Sequence, residues 1–391
     1  MAIEASKAER SGGRIRLGMI GGGEGAFIGA VHRLVARIDD QFEFVAGALS
    51  STPEKARRSG RALGLEPARC YPDYRAMLAA EAQRADGIEA VAIVTPNHLH
   101  AAPAEACLAA GLHVICDKPL AASLDDALRL QKAAARRDVV FGVTYNYTGY
   151  PMIREARARI AAGELGRIRV VNVEYIQDWL TTALEQAGQK QAVWRTDPKQ
   201  AGAGGCIGDI GTHAFQLLEF VTGLEVEALS ADLQRFVPRR RLDDNAHIQL
   251  RLAKGARGTL WASQVAVGNE NGLRLRVYGD KGGMSWHQEH PNQLLWTPYG
   301  EPTRILSRGG AGTGSAASRA TRIPAGHPEG YLEAFATVYT EIAAAIRARD
   351  AGKRVPREVV FPGIADGVRG LRFVTAAVRS ASRDGRWTKL G

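Results

Sequence analysis

Four short stretches of the sequence combine residue types that can hold charge or move a proton. Ile20-Gly-Gly-Gly-Glu-Gly-Ala26 contains the spacing Gly21-x-Gly23-x-x-Ala26. Where a strand turns into a helix, such glycines allow a tight turn and a close approach of backbone to a pyrophosphate. The helix N-terminus then stabilises the phosphate charge. Further on, Cys116-Asp117-Lys118-Pro119 follows an apolar run. A lysine at the carboxyl end of a parallel strand can lie in a ligand site and hydrogen-bond a reacting oxygen; a surface lysine before a loop proline is the plainer alternative. The third stretch, Gly204-Gly-Cys-Ile-Gly-Asp209-Ile-Gly-Thr-His213, places an acid and an imidazole four residues apart, on one face of the expected helix. An N-capping aspartate followed by an ordinary helical histidine would look the same. The fourth, Leu49-Ser50-Ser51-Thr52-Pro53-Glu54-Lys55, stands where a dinucleotide domain reads the adenosine ribose. It lacks the acid that binds a 2′-hydroxyl. Ser50 and Lys55, with Arg57 and Arg58 nearby, can accept a 2′-phosphate; equally, a hydroxyl caps a helix at Pro53 while Lys55 is solvated.

These stretches need elements that hold them. From Arg14 to Tyr145 short apolar runs alternate with helical spacing: strands at 14–20, 42–49, 90–94, 113–116 and 139–143, helices at 26–37, 53–63, 97–110 and 123–137. Strand, helix, strand with short links predicts a doubly wound parallel sheet, a Rossmann α/β domain over 14–146. After Tyr150 the period changes. Helices are expected at 151–162 and 210–221, and strands at 168–175, 226–237, 244–252, 257–267 and 273–278. In His247-Ile-Gln-Leu-Arg-Leu252 the apolar residues alternate with polar ones, as in an antiparallel sheet with one core face. Residues 147–391 therefore read as an α+β domain with a large, mainly antiparallel open sheet, a Gly/Ala/Ser-rich excursion at 307–328, and closing helices at 328–349 and 362–382. Residues 1–13 read as a flexible extension without a secretory signal.

Composition sets the boundaries. At 391 residues the chain has room for two or three domains. With 45% hydrophobic and 24% charged residues it is an ordinary globular chain. No apolar run reaches the length of a membrane span. The net charge of +10 raises the question of nucleic acid. The basic clusters Arg57-Arg58, Arg136-Arg137 and Arg239 to Arg241 are scattered, however, and Asp243-Asp244 follows the last, so no nucleic-acid partner is expected. Four cysteines without C-x-x-C spacing suggest neither zinc nor disulfides, and a reducing cytoplasm fits. His98 and His100 lack a third ligand at recognisable spacing, so no metal is expected. His327 and Tyr331, after the long excursion, either reach a substrate or simply start a helix.

Taken together, the glycine loop, Thr95-Pro-Asn-His-Leu-His100, Asp117-Lys-Pro119, Trp194-Arg195 and Gly205 to His213 resemble the Gfo/Idh/MocA oxidoreductases. The resemblance runs from Arg14 to the C-terminus, with Asp117 where that family usually has Glu. It implies an NAD(P)-dependent dehydrogenase that oxidises a secondary hydroxyl of a sugar or cyclitol to a ketone. By that carry-over Lys118, Asp209 and His213 form the catalytic group: His213 takes the hydroxyl proton, Lys118 stabilises the developing alkoxide, and Asp209 orients His213 or holds a neighbouring hydroxyl. An imidazole, with its ordinary pKa near about 6.5, suits that transfer.

To the cofactor, Gly21, Gly23, Ala26, Ser50 and Lys55 are assigned by their own motifs and Lys118 by its place at a strand end, and the resemblance adds Thr95, Asn97, His100, Asp117, Asn146, Trp194 and Arg195. Lys118, Asp178, Arg195, Asp209 and His213 go to the substrate. The Ser50 to Lys55 segment resembles an NADP-type loop, while many polyol-oxidising relatives use NAD, which is taken first. Association into a homodimer or homotetramer through the open sheet is expected by analogy. Ala-, Arg- and Gly-heavy composition fits a GC-rich bacterial gene, and there an aminosugar, such as an aminoglycoside precursor, is a secondary candidate. Glu174, Asp178, Glu185 and Asp197 would attract such a cation, although the net charge argues the other way. Two rival functions use the same sequence: a dinucleotide-sensing regulator without catalysis, and a hydrolase or lyase that retains NAD through a keto intermediate.

Overall fold

Runs of Val, Ile and Ala between helical segments form strands buried on both faces, and the first sheet is built from five of them. In the computed structural model, which describes residues 13–391, the chain divides into two compact units. The expected N-terminal extension lies, over residues 1–12, outside the described residues. One unit comprises 13–121, 125–146 and 331–367; the other comprises 122–124, 147–330 and 368–391.

In the first unit β1 (Ile15–Gly21), β2 (Phe42–Ala48), β3 (Ala90–Val94), β4 (His113–Cys116) and β5 (Phe141–Val143) pair in parallel in the order β2-β1-β3-β4-β5. Every residue of β3, β4 and β5 is buried, as helices on both faces require. The register aligns Gly21 with Val94, Ile93 with Cys116 and Cys116 with Val143. The residues just past the ends of the strands therefore gather along one edge of the sheet. Helix Phe27–Ile38 buries Val31, His32, Val35 and Ala36.

One assignment changes. The expected division placed 331–367 with the C-terminal domain, but helix Tyr331–Asp350 belongs to the first unit. Its Phe335, Val338, Tyr339, Ile342 and Ile346 join Leu17, Met19, Val35 and Phe42 in one hydrophobic core. Three- and four-residue spacing gives this helix an apolar stripe, and burying that stripe against the Rossmann helix decides which unit it joins.

The second unit carries nine strands: β6 (Ile168–Ile176), β7 (Val226–Gln234), β8 (Asn245–Leu252), β9 (Arg257–Ser263), β10 (Gly272–Gly279), β11 (Gly282–His287), β12 (Gln293–Pro298), β13 (Arg304–Ser307) and β14 (Thr388–Lys389). Their order is β13-β12-β11-β10-β6-β9-β8-β7-β14, with β6 and β9 parallel and the other pairs antiparallel. In β8, Ile248, Leu250 and Leu252 are buried while His247, Gln249 and Arg251 are exposed, the alternation read from the sequence. Helices Pro151–Ala161 and Thr212–Thr222 supply further core.

The excursion at 307–328 is ordered. It contains the helix Ser315–Ala320, and buried Arg308 pairs with Glu329 at 2.9 Å. Arg240, in the cluster set aside as scattered basic charge, is also buried, between Glu185 at 3.1 Å and Asp244 at 3.3 Å.

Candidate active site

The edge of the parallel sheet carries most of the residues expected to hold a dinucleotide; Trp194 and Arg195, also expected there, lie in helix Lys190–Arg195 of the second unit. Gly21 has φ 81°, where a side chain is strained, and a Cβ there would lie 2.6 Å from the Val94 carbonyl. The Gly23 N–H donates to the Leu49 carbonyl at 3.1 Å, which ties the loop to the tip of β2. A Cβ on Gly23 would clash with that same carbonyl. Ala26 precedes helix Phe27–Ile38 and caps it with no side chain. Its place in the fingerprint suggests the residue that lets helix and strand pack closely, but Gly29 does that work, since a Cβ there would strike the Gly22 backbone. At the tip of β2 the Ser50 hydroxyl accepts the Thr52 N–H at 3.2 Å, and Lys55 lies one turn into helix Pro53–Ala62. Asn146 follows β5; it is 3% exposed, and its amide nitrogen meets no acceptor among the described residues. A shaped glycine cradle and a buried donor awaiting an acceptor fit a dinucleotide.

Thr95, Asn97, His100, Asp117 and Lys118 lie on the same edge, with unequal parts. His100 is almost fully buried, and its ring nitrogens face the carbonyls of Thr95 and Pro119, each at 2.8 Å. Burial lowers its pKa, against the pull of Asp117 and the two carbonyls. His100 therefore clasps Thr95 to the Lys118–Pro119 turn rather than offering its ring to a ligand. Thr95 spends its hydroxyl on the Leu99 carbonyl at 3.0 Å. Asn97 is buried in a short turn. The peptide between Lys118 and Pro119 is cis, and Lys118 itself is half-buried.

Asp117 accepts the Lys118 N–H at 2.9 Å and the Thr144 hydroxyl at 2.6 Å. His32 Nε2 is 3.9 Å from the same oxygen, and His32 Nδ1 meets the Tyr339 hydroxyl at 2.7 Å. Burial alone would raise the Asp117 pKa. Contact with His32, the charge of Lys118 and the Thr144 bond outweigh it and hold the carboxyl well below the usual range. Burial keeps Tyr339 a phenol. With an anion on the Nε2 side, the imidazole hydrogen belongs on Nε2 and the phenol donates to Nδ1. No spacing pointed to His32, which reads as one polar residue on an apolar helix face.

The second unit carries a different acid and histidine, four residues apart in the chain. The expected regular helix around Asp209 is a single π turn, Ile207–Gly211, followed by helix Thr212–Thr222. Such i→i+5 turns are rare and are frequent at functional sites. The four-residue spacing of Asp209 and His213 therefore crosses a junction between two kinds of helix. Buried Asp243 holds the start of the turn, accepting the Gly205 and Ile207 N–H groups at 2.7 and 2.8 Å. Burial raises the Asp243 pKa, and those bonds oppose it. One Asp209 oxygen accepts Arg195 Nε at 3.2 Å and Gln264 Nε2 at 2.9 Å. The Arg195 guanidinium lies 4.2 Å over the Trp194 ring.

His213 is nearly buried, with the Tyr147 ring edge-on at 4.8 Å. Tyr147 and Tyr175 share a hydrogen bond of 2.5 Å, and Tyr175 donates to Asn271 at 2.8 Å. Gln264, Tyr147, Tyr175 and Asp243 were not expected at a site; each comes from a distant point in the chain.

The acids expected to draw a cation are engaged elsewhere. Asp178 accepts the Gly268 N–H at 3.0 Å, and Glu174 faces Arg274 and Arg276 at 3.4 and 3.6 Å. Glu185 pairs with Arg240, and Asp197 pairs with Arg241 at 2.7 Å. His327 is exposed, and Tyr331 opens the helix that packs in the first unit.

A glycine-loop parallel sheet with a lysine at its edge, followed by an open-sheet unit bearing an acid and a histidine, is the architecture of a pyridine-nucleotide oxidoreductase. Two family models match: "Oxidoreductase family, NAD-binding Rossmann fold" over residues 15–145, and "GFO/IDH/MocA C-terminal domain" over 153–285. An oxidoreductase from Sinorhizobium meliloti is 54% identical, with TM-score 0.87 over 97% of this chain and 100% of that one. An inositol dehydrogenase homolog from Azotobacter vinelandii, solved with NAD+, is 41% identical with TM-score 0.94 over 97% and 98%. An inositol dehydrogenase homolog from Azotobacter vinelandii solved with NADH and myo-inositol gives 39% identity and TM-score 0.89 over 96% and 98%. The uncharacterized oxidoreductase YfiI of Bacillus subtilis is 35% identical, over 96% of this chain and 97% of its own.

The chain belongs to the Gfo/Idh/MocA family of NAD-binding sugar and cyclitol dehydrogenases. No helix among the described residues is long and apolar enough to cross a membrane.

Proposed function

We propose that the protein oxidises a secondary hydroxyl of an uncharged polyhydroxylated ring, a cyclitol or a sugar, to a ketone with NAD. The observation that carries this is the likeness along nearly the whole chain to a protein solved with NADH and myo-inositol. The pairing of Glu174, Asp178, Glu185 and Asp197 with partners of their own favours a neutral ring over an aminosugar.

In this reading Gly21, Gly23 and Asn146 hold the dinucleotide, which when bound supplies the acceptor for the hydride. His213 takes the proton of the reacting hydroxyl, a task for which imidazole is suited near neutral pH. Lys118 stabilises the oxygen as its charge develops. Asp209, paired with Arg195 and bonded by Gln264, accepts a neighbouring hydroxyl of the ring or steadies His213. Four buried, free cysteines support a reducing compartment such as the cytoplasm. The outer face of the nine-stranded sheet, where Trp261 stacks on His247 and Val170 and Tyr278 are exposed, supports association of two or four copies.

The test is NADH formation from a panel of myo-inositol, other cyclitols, neutral sugars and aminosugars. Neutral rings are expected to reduce NAD. Reduction by aminosugars alone would overturn the substrate class. Bond cleavage without net NADH would favour the NAD-retaining hydrolase or lyase.

A further inference from the structure

The tip of β2 raises a question about the cofactor's ribose. Domains that take NAD commonly place an acid there to bind the ribose 2′-hydroxyl, yet this tip reads Leu49-Ser50-Ser51-Thr52. Hydroxyls with Lys55, Arg57 and Arg58 close by in sequence are what a 2′-phosphate would select. A carboxylate reaches this region from the opposite side. Glu24 sits in the middle of the glycine loop, one residue beyond Gly23, whose N–H is bonded to the Leu49 carbonyl at 3.1 Å. One Glu24 oxygen accepts both Arg58 Nε, at 3.1 Å, and Arg58 Nη2, at 2.8 Å. The Glu24 N–H donates to the hydroxyl of the next residue, Ser59, also at 3.1 Å. Helix Pro53–Ala62 is thus fastened to the glycine loop at two successive positions. Arg58 lowers the Glu24 pKa first by its hydrogen bond and then by its charge, and Lys55 adds a smaller pull, so both cations act on the one carboxylate.

We propose that Glu24, by occupying Arg58 and setting a negative charge beside the tip of β2, makes the site select NAD and reject NADP. A 2′-phosphate carries close to two negative charges near neutral pH, as other phosphate monoesters do. It would meet the Glu24 carboxylate and find Arg58 already neutralised. Without that carboxylate, Arg58 and Lys55 beside the hydroxyls of Ser50, Ser51 and Thr52 become a phosphate site of ordinary kind. Arg58 and Glu24 are largely exposed, at 62% and 56%. An exposed ion pair contributes little to folding, so this one is free to serve discrimination and is safe to remove.

The inference rests on the dinucleotide reading of the glycine loop, and the experiment separates the two. Wild type, Glu24→Ala and Glu24→Ala/Arg58→Ala are titrated with NAD and with NADP by calorimetry, with thermal melts as a check of folding. Wild type is expected to prefer NAD. Glu24→Ala should tighten NADP binding about tenfold or more, the worth of one charge-assisted bond, with NAD affinity changed by less than about threefold. The added Arg58→Ala should abolish that gain. An unchanged NADP-to-NAD ratio in Glu24→Ala, a gain that survives loss of Arg58, or a wild type that prefers NADP would overturn the proposal while leaving the dinucleotide site in place. Wild-type protein that binds neither nucleotide would overturn the dinucleotide reading and this inference with it.

Discussion

Two aspartate–histidine pairs occupy the two units, and they are opposite in kind. In the first, the Asp117 carboxylate accepts a backbone N–H and a threonine hydroxyl, and the fully buried His32 ring lies 3.9 Å from it with its other nitrogen bonded to Tyr339. Asp209 and His213 have different neighbours. Asp209 is held by Arg195 and Gln264, and His213 lies against the rings of Tyr147 and Tyr175. The same two residue types therefore do different work. A fully buried histidine bonded to a phenol and set beside a carboxylate belongs to the packing of its unit. One packed against aromatic rings is, in the proposed reading, the group that meets the reacting hydroxyl.

The sharpest way to break this contrast is to remove each histidine. His213→Ala should lower kcat/KM by about 10²- to 10⁴-fold, the usual worth of a general base, with NAD affinity unchanged by calorimetry. Equal losses from His32→Ala would erase the distinction. Lys118→Ala should cost about 10²-fold or more in turnover through lost stabilisation of the alkoxide, again with NAD still bound; near-normal rates would remove Lys118 from the chemistry. Asp209→Asn keeps the shape and removes the charge that Arg195 faces. A fall of about tenfold to a hundredfold is expected, visible as a change in kcat as well as KM.

His32→Ala should act mainly on stability, by about 1–3 kcal/mol in urea unfolding, because it leaves Tyr339 without its partner. The smallest effect is a slope. The folded-state pKa of Asp117 lies below its unfolded value. Its contribution to stability is therefore full above the ordinary carboxylate pKa near about 4 and is lost as the pH falls through and below that value. Asp117→Asn should flatten unfolding free energy against pH between about pH 5 and pH 3. An unchanged slope would mean that Asp117 titrates alike in the folded and unfolded states.

Much of this architecture is legible in the sequence because its signals are local. Gly21 and Gly23 are two residues apart and meet a strand and a helix within a few residues, so spacing alone exposes them. The alternation in β8 is equally local. What escaped depends on partners far along the chain. Gly29 is needed only because the Gly22 backbone passes over the helix. Asp243 looks like relief for a basic cluster until its carboxylate is seen holding the N–H groups of Gly205 and Ile207. Helix Tyr331–Asp350 carries an apolar stripe whose destination, a core that begins at Ile15, no window of residues can name. The π turn at Ile207–Gly211 is invisible for a related reason: Asp209 and His213 show the spacing of an ordinary helix, and it is the grip of Asp243 that sets the register.

The central claim is that His213, and not His32, moves the proton while NAD is bound. The most direct measurement is single-turnover NADH formation in wild type, His213→Ala and His32→Ala, each saturated with NAD and mixed with the ring polyol that the substrate panel selects. Wild type and His32→Ala should form NADH at comparable rates, while His213→Ala, with NAD bound as tightly, should be slower by about 10²-fold or more. NADH formed by His213→Ala at close to the wild-type rate would contradict the assignment of the proton to that imidazole.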